Sequence, residues 1–452
     1  MANMLLTTRG TAGDVFPMLQ IGSALKARGH KVTLITSSYY AGLAAQVGIE
    51  FAALDSAEEF QRFTEDLSLL HTPQGQIAFF QQHTLPKVLI EYELIRARYI
   101  AGETVLVAYH LYGIAAQIAA EKLGIPIVRL FTAVGQLTGI PFLEEFCSSA
   151  LAGYINQIRA TIGLPPVHDW HAWLRYPQQS IAAWPAWYAA PDASWPLNAV
   201  PIGFLMLDEA ETGDLPAELQ HILEHDEPPI LITGGTGTFL KSEFYAVGAE
   251  ACRLLDRPGV LAAQYPQLVP RSLPDRVTWF RHLPFASVMP RMAAVIHHGG
   301  TGTLARALSA GIPQLLLAAG TDRPDSAIRL QHLGIAEYLP LSQWRPDLVA
   351  AALRRLLGSP SVRERCGELS RWLHEGDPEG SGCAVIESLI PGEGARTQLD
   401  SAPQHDSRAT PVGASEQDSG KGNLIERADT LSPERRALLA LRLKKKLDDS
   451  QA

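Results

Sequence analysis

Short apolar runs alternate with helix-like segments along most of this chain, and this alternation constrains the fold more than any other feature. Residues 4–8 and 31–36 are apolar runs on either side of a helical segment at 15–28, and residues 104–109 and 126–131 continue the pattern. Continuous apolar strands joined by helices are typical of parallel sheets covered on both faces. The sequence therefore predicts an α/β, doubly wound first lobe.

A second half repeats this order after an acidic, proline-containing break, with the apolar strand PILIT beginning at Pro229. After about Pro391 large apolar residues become rare, and such a segment cannot bury enough surface to offset the entropy of ordering. The predicted organisation is a first lobe at 1–206, a linker at 207–228, a second lobe at 229–390, a disordered tether at 391–430 and a possible docking helix at 431–449.

Charge and cysteine content exclude several classes of protein. The 452 residues contain 38 basic and 47 acidic side chains, a net charge of −9, whereas binding to nucleic acid needs a basic surface. The four cysteines have neither metal-ligand nor disulfide-framework spacing, which favours a reducing, cytoplasmic location and predicts no bound metal. No apolar run reaches the roughly 18 residues of a membrane span, so no transmembrane segment is predicted.

The pentapeptide GGTGT occurs twice, at 234–238 and at 299–303, each time between an apolar strand and a helix. Glycines allow close backbone approach, and a following helix N-terminus offers free N–H groups to a phosphate. The alternative is a pair of tight structural turns, and the preceding histidines, His297 and His298, could be core residues. The first loop, GTAGD, lacks the dinucleotide fingerprint GxGxxG, and no Walker motif occurs.

Four segments carry a resemblance to a known family: TTRGTAGDVFPMLQIGSALKARGHKVTLIT, WPAWYAAPDASWPLNAVPIGF, ITGGTGTF and AAVIHHGGTGTLARALSAGIPQLLLAAGTDRPDSAIRLQHLG. They resemble bacterial family 1 glycosyltransferases of the GT-B fold, in the branch of rhamnolipid-type rhamnosyltransferases and antibiotic and sterol glycosyltransferases. The likeness covers about residues 1–389. It implies two Rossmann-like lobes that face a central cleft, with the acceptor in the first lobe and a nucleotide-sugar in the second.

The resemblance also implies the reaction. We expect an inverting, metal-independent transfer of a sugar from a UDP- or dTDP-sugar, the co-substrate, to a hydroxyl of a lipophilic natural product or glycolipid precursor. No further cofactor is expected. A sugar-nucleotide 2-epimerase remains an alternative because it shares the fold. A non-catalytic assembly-line partner protein also remains, because it would need only a surface that binds its partner and no intact active site.

Residues of the family's donor site carry over to ten positions of this sequence. Here Arg323 stands where relatives usually have glutamine, and a guanidinium cannot accept a hydrogen bond, which leaves the identity of the sugar open. The predicted donor-binding residues are Thr236, Gly237, His282, His297, Gly299, Gly300, Gly302, Thr303, Asp322 and Arg323. Of these, His297 is expected to touch the diphosphate.

The acceptor hydroxyl must lose a proton as it attacks, and Asp14 in GDVFP is the predicted general base. The alternative is that Asp14 only caps a helix that begins at Val15. His110, at the end of the strand TVLVAYH, is an alternative base or orienting group. Phe79 and Trp187 are further acceptor-side candidates, since large aromatic walls suit apolar ligands, although core packing would explain such residues equally well.

The segment LSPERRALLALRLKKK near the C-terminus has a helix N-cap at Ser432 and basic residues at its end. It resembles the short helical segments found beside domains of nonribosomal peptide and polyketide synthases, which suggests that it docks the enzyme to such an assembly. A solvated basic helix and a weak membrane-surface anchor are the alternatives.

Overall fold

The computed structural model describes residues 1–390 apart from short gaps at 111–112, 176–178, 193–194, 196–198, 208–214, 226, 237–239 and 319–322. The tether predicted at 391–430 and the docking helix predicted at 431–449 lie outside the described residues. Both stay predictions.

Seven parallel strands form the first sheet, in the order β3-β2-β1-β4-β5-β6-β7. The strands are β1 (Asn3–Thr7), β2 (Lys31–Thr36), β3 (Glu50–Ala53), β4 (Thr104–Tyr109), β5 (Ile127–Phe131), β6 (Gln179–Ala182) and β7 (Ala199–Pro201). The central strands are buried on both faces, as their unbroken apolar sequences predict.

Helices cover both faces of this sheet. They are α1 (Ala12–Ala27), α2 (Ala41–Gln46), α3 (Ala57–Glu65), α4 (Pro73–Phe79), α5 (Leu85–Arg96), α6 (Ile114–Leu123), α7 (Val134–Thr138), α8 (Ile140–Phe146), α9 (Ala152–Thr161) and α10 (Trp170–Leu174). Two π-helical turns, Phe80–Thr84 and Cys147–Leu151, interrupt the helical segments after α4 and α8.

Six parallel strands form the second sheet, in the order β10-β9-β8-β11-β12-β13. Its strands are β8 (Ile230–Thr233), β9 (Gly259–Ala262), β10 (Val277–Phe280), β11 (Ala294–His297), β12 (Gln314–Leu317) and β13 (Ala336–Leu339). The helices of this half are α11 (Ala217–His225), α12 (Ser242–Leu254), α13 (Phe285–Val288), α14 (Thr301–Ala310), α15 (Arg323–His332), α16 (Pro346–Gly358), α17 (Pro360–His374) and α18 (Pro378–Glu387). The prediction of two doubly wound α/β lobes is confirmed.

One apolar cluster is shared by the two lobes. Val134 and Leu137 of α7 belong to the same buried cluster as Leu304 of α14 and Leu330 of α15. Trp187 packs at its border, with its ring centroid 6.2 Å from that of Trp372 on α17. The lobes are therefore joined by a continuous apolar contact.

Two helices pack differently from the predicted domain boundaries. The α11 helix lies in the predicted linker, yet Leu219 is buried in the core beneath the second sheet. The α18 helix lies at the end of the predicted second lobe, yet Cys383 and Ile386 belong to the core of the first lobe. An added Cβ at Gly382 would lie 2.6 Å from Ile21 of α1, so the two helices are in close contact there.

A charged group fastens the end of α18 to the first lobe. Glu387 accepts hydrogen bonds from Arg28 Nε and Nη2, both at 2.7 Å, and its Oε1 lies 3.0 Å from His30 Nε2. The hydrogen bonds from Arg28, followed by those involving His30, hold the pKa of Glu387 at about 2 despite some opposing desolvation. The Glu387 carboxylate therefore links α18 to the end of α1.

We predict that Glu387→Gln destabilises the protein at pH 7 and that this difference from the wild type disappears in acid. A carboxyl group with a lowered folded pKa stabilises the fold above its unfolded value, 4.5, and loses that contribution as pH falls toward about 2. Thermal unfolding between pH 7 and pH 2 measures the effect. Glu250→Gln is the control, because Glu250 pairs with Arg253 within one helix, and such exposed local pairs contribute little.

Candidate active site

Each sheet reverses its winding direction at one point along its strand order. The loops that the sequence analysis singled out, GTAGD and the two GGTGT loops, lie at these two points. In the first sheet β1 and β4 are neighbours although the chain winds outward from each, and β8 and β11 are neighbours in the same way in the second. Ligands of open α/β sheets bind at the carboxyl ends of the strands at such switch points. The loops after these four strands are therefore the expected binding edges.

The helix that carries Asp14 begins earlier than predicted. The sequence suggested a start at Val15, but α1 begins at Ala12, with Thr11 at the N-cap position and Asp14 in the first turn. Oδ2 of Asp14 accepts hydrogen bonds from the backbone N–H of Thr11 at 2.8 Å and from its hydroxyl at 3.2 Å. Asp14 thus fills the acidic position of a capping box rather than the N-cap itself.

Gly10 makes room for this carboxylate. Its φ of +135° is a backbone conformation that side-chain-bearing residues rarely adopt, and an added Cβ would lie 2.2 Å from Oδ2 of Asp14. The carboxylate therefore folds back over the loop between β1 and α1. This arrangement limits how far Asp14 can move.

The second carboxylate oxygen of Asp14 meets a group that the sequence analysis did not single out. The hydroxyl of Tyr109, the last residue of β4, donates to Oδ1 of Asp14 at 2.7 Å. Gln136 Nε2 in turn donates to the Tyr109 hydroxyl at 2.7 Å, and the backbone N–H of Thr132 donates to Gln136 Oε1 at 2.9 Å. Asp14 thus has both a capping contact and a contact with the neighbouring strand.

Two of the other acceptor-side candidates, His110 and Phe79, lie in the interior, and Trp187 is partly buried. His110 is 3% exposed, stacks on Phe131 with centroids 4.3 Å apart, and has a pKa well below its usual value because of burial and, secondarily, Arg129. Phe79 is fully buried against Phe63. Trp187 lies at the lobe contact described above. The structure brings none of the three beside Asp14 through a described contact.

His297 is held entirely by the protein. Its Nε2 lies 2.9 Å from Gln314 Oε1, and its Nδ1 accepts the backbone N–H of Gly299 at 3.2 Å. Because a backbone N–H only donates, the proton of the neutral ring is on Nε2 and points to Gln314. Burial lowers the pKa of His297 to about 4, so the ring is neutral near pH 7. In this structure His297 shapes the loop and offers no polar atom to a ligand.

His298 lies between the two GGTGT loops. A Cβ added to Gly235 of the first loop would lie 2.6 Å from the ring of His298, and one added to Gly300 of the second would lie 2.4 Å from it. Its Nδ1 is buried and has no hydrogen-bond partner in the described part of the chain. Burial, then the charge of Arg323, then His297 hold its pKa well below the usual value. The repeated glycines therefore accommodate one imidazole ring.

Of the remaining predicted donor residues, those of the second GGTGT loop and Arg323 lie near this ring. Gly299, Gly300, Gly302 and Thr303 form the turn into α14, whose first-turn N–H groups have no intrahelical acceptors. Arg323 begins α15, and its Cβ would lie 3.2 Å from a Cβ on Gly299, so it stands beside the second loop. Thr236 and His282 are exposed. Gly237 and Asp322 lie outside the described residues.

None of the helices in the described part of the chain is long and apolar enough to cross a bilayer. No group of three or more His, Cys, Asp or Glu side chains among the described residues is arranged to hold a metal ion.

Comparison with solved structures defines the fold. The glycosyltransferase of kitacinnamycin superposes with a TM-score of 0.69 at 22% identity, covering 86% of this chain and 99% of that one. The calicheamicin glycosyltransferase CalG4 gives 0.67 at 22% identity, with 86% and 98% covered. The fold is GT-B, with two Rossmann-like lobes.

Comparison of sequences defines the family. Residues 4–140 match the glycosyltransferase family 28 N-terminal domain, and residues 259–379 match the erythromycin biosynthesis protein CIII-like C-terminal domain. An O-mycaminosyltylonolide 6-deoxyallosyltransferase of Streptomyces fradiae is 27% identical over 84% of this chain and 96% of its own length. Glycosyltransferase GtfE of Amycolatopsis orientalis is 29% identical over 74% and 84%. The chain belongs to the bacterial family 1 glycosyltransferases and is a nucleotide-sugar-dependent enzyme.

We predict that Gly300→Ala lowers the melting temperature of the ligand-free protein, because its methyl group would overlap the ring of His298. Gly302→Ala is the matched control in the same turn, since an added Cβ there has no neighbour within 4 Å and alanine favours a helix. Differential scanning calorimetry of both variants measures the difference. Equal melting temperatures would show that His298 does not occupy the space between the loops.

Proposed function

We propose that this enzyme transfers a sugar, with inversion and without a metal ion, from a UDP- or dTDP-sugar to a hydroxyl of a lipophilic natural product. The observation that carries the proposal is the position of Asp14 and of the His298 loops at the switch points of two sheets within one GT-B enzyme. A base at the first switch point and a diphosphate at the second are the groups that a single nucleophilic displacement at the anomeric carbon needs. No cofactor besides the nucleotide-sugar is required.

The donor side rests on the second lobe. N–H groups at the start of α14 and the imidazole of His298 supply donors to the diphosphate, and the helix dipole favours its negative charge. Arg323 adds a fixed positive charge beside the same loop. Two solved relatives, VinC and the spinosyn rhamnosyltransferase SpnG, are described as complexes with dTDP and thymidine diphosphate, which supports a nucleoside diphosphate here.

In the proposed reaction the acceptor oxygen forms a bond to the anomeric carbon while the bond from that carbon to the β-phosphate oxygen breaks. The acceptor proton passes to the carboxylate of Asp14, and the electron pair leaves with the nucleoside diphosphate. Attack opposite the leaving group inverts the anomeric centre. The donors around α14 stabilise the charge that develops on the leaving group.

A lipophilic acceptor fits an aromatic surface near Asp14. Tyr39 follows β2 at the carboxyl edge of the first sheet, is 56% exposed, and stacks on Phe60 with centroids 4.7 Å apart. The adjacent Tyr40 donates to the carbonyl of Gly10, which places this segment beside the Asp14 loop. A vancomycin aglycone glucosyltransferase and a sterol 3-beta-glucosyltransferase are among the similar proteins, and the sterol named for the second is a lipophilic acceptor.

We predict that Asp14→Asn reduces turnover by about 10²- to 10⁴-fold, the range for loss of a general base, while donor binding changes little. Release of nucleoside diphosphate measures turnover, and calorimetry with UDP and dTDP measures binding. Asp169→Asn is the matched control, because Asp169 caps α10 in the same lobe through Ala172 N–H at 2.8 Å and has no proposed catalytic role. Full activity of Asp14→Asn would show that Asp14 is only a cap.

We predict that turnover persists in excess EDTA and that the product has the anomeric configuration opposite to the donor, as its proton coupling constants would show. An acceptor-free incubation separates the alternatives, since an epimerase would change the free donor. No nucleotide binding at all would favour a non-catalytic partner protein.

A further inference from the structure

We propose that Tyr109 and Gln136 are positioning residues that hold the carboxylate of Asp14 ionised and oriented for the acceptor, an inference that rests on the proposed role of Asp14 as the base. The contacts run from the start of α7, through the end of β4, to the first turn of α1. None of these partners is near Asp14 in sequence.

The backbone settles the orientation of the Gln136 amide. The N–H of Thr132 can only donate, and it lies 2.9 Å from one end of the amide, which must therefore be Oε1. The amide nitrogen then points toward the Tyr109 hydroxyl at 2.7 Å and the Thr132 hydroxyl at 3.2 Å. Gln136 is thus a donor to Tyr109.

This donation directs the single hydroxyl proton of Tyr109. The described contacts of this hydroxyl include two acceptors, Asp14 Oδ1 at 2.7 Å and Thr132 Oγ1 at 3.3 Å. The carboxylate is both nearer and charged, and hydrogen bonds to ionised groups are shorter and stronger than neutral ones. The Tyr109 proton therefore points to Asp14, and its ring is held by burial in the core of the first lobe.

We call the hydrogen bonds from Gln136 to Tyr109 and from Tyr109 to Asp14 the relay. The relay favours the ionised form of Asp14, which the reaction needs. A hydrogen bond donated to a carboxylate stabilises its ionised form and so keeps it ready to accept a proton. During turnover the acceptor proton moves to Asp14, while Tyr109 keeps its own proton and acts only by orientation and charge stabilisation. The Thr11 contacts to Oδ2 and the Tyr109 contact to Oδ1 restrain the carboxylate from two sides.

The test compares the pH profile of kcat/KM in Tyr109→Phe and in the wild type. We expect the acid limb of Tyr109→Phe to move upward by about one pH unit, since the ionised base loses a charge-assisted donor. We expect kcat to fall about tenfold while the affinity for dTDP or UDP is unchanged. Gln136→Leu should move the limb in the same direction by less, because the hydroxyl proton can then turn away from Asp14.

Tyr40→Phe is the matched control. Tyr40 is also buried, and its hydroxyl contacts the same loop through Gly10 O at 3.3 Å, but not the carboxylate through a described hydrogen bond. Its acid limb should stay in place. Calorimetric unfolding shows that each variant is folded, and Gln136→Leu supplies the test if Tyr109→Phe is not.

The outcomes separate the relay from the base. A shifted limb in Tyr109→Phe and Gln136→Leu, with none in Tyr40→Phe, supports the relay. If folded Tyr109→Phe or Gln136→Leu has an unchanged pH profile of kcat/KM while Asp14→Asn is inactive, the relay is overturned. The proposed role of Asp14 as the base then still stands. Activity of Asp14→Asn overturns both. An equal shift in Tyr40→Phe would show a general effect of the loop and overturn the specific role of Tyr109.

Discussion

Parallel strands place all of their carboxyl ends on one edge of a sheet, and the rest of this structure depends on that constraint. Each lobe begins a new winding direction beside its first strand, at β1 and β4 and again at β8 and β11. In open α/β sheets the helices that follow such neighbouring strands lie on opposite faces and leave a crevice for a ligand. Asp14 and Tyr109 meet at the first crevice, and His298 lies between the loops of the second.

Much of this arrangement could be predicted from sequence because it follows from local pattern. Apolar runs gave the strands, and GGTGT marked the turns of the second crevice. The helix α1 begins three residues before the predicted start at Val15, because Thr11 and Asp14 form a capping box at its N-terminus. Tyr109 was not recognised because an aromatic residue in TVLVAY reads as core. Its hydrogen bonds are with Gln136 and Asp14, residues that only the tertiary fold brings together.

The two histidines of HHGG show a different limit. The sequence places both histidines directly before the second GGTGT loop, but it does not determine which of the two rings lies between the loops. Gln314 on the neighbouring strand engages His297, a pairing set by sheet register, and His298 is left between the loops. Burial keeps both rings neutral. A diphosphate bound at this loop would therefore meet positive potential from the helix dipole of α14 and from Arg323, not from protonated histidine.

The contact between the lobes bears on both crevices at once. Gln136, which orients Tyr109, is on α7, and α7 packs on α15 of the second lobe. Arg323, which stands beside the second loop, is the first residue of that same α15. If one lobe rotated, α7 would slide over α15. Gln136 would then move relative to Thr132 and Tyr109, unless α7 kept its position on the first sheet. Because Thr132 follows β5 directly and bonds to Gln136, the first turn of α7 is tied to the first sheet. The hydrogen bonds among Gln136, Tyr109 and Asp14 would therefore persist if the lobes rotated, and the displacement would fall on the apolar contact between α7 and α15.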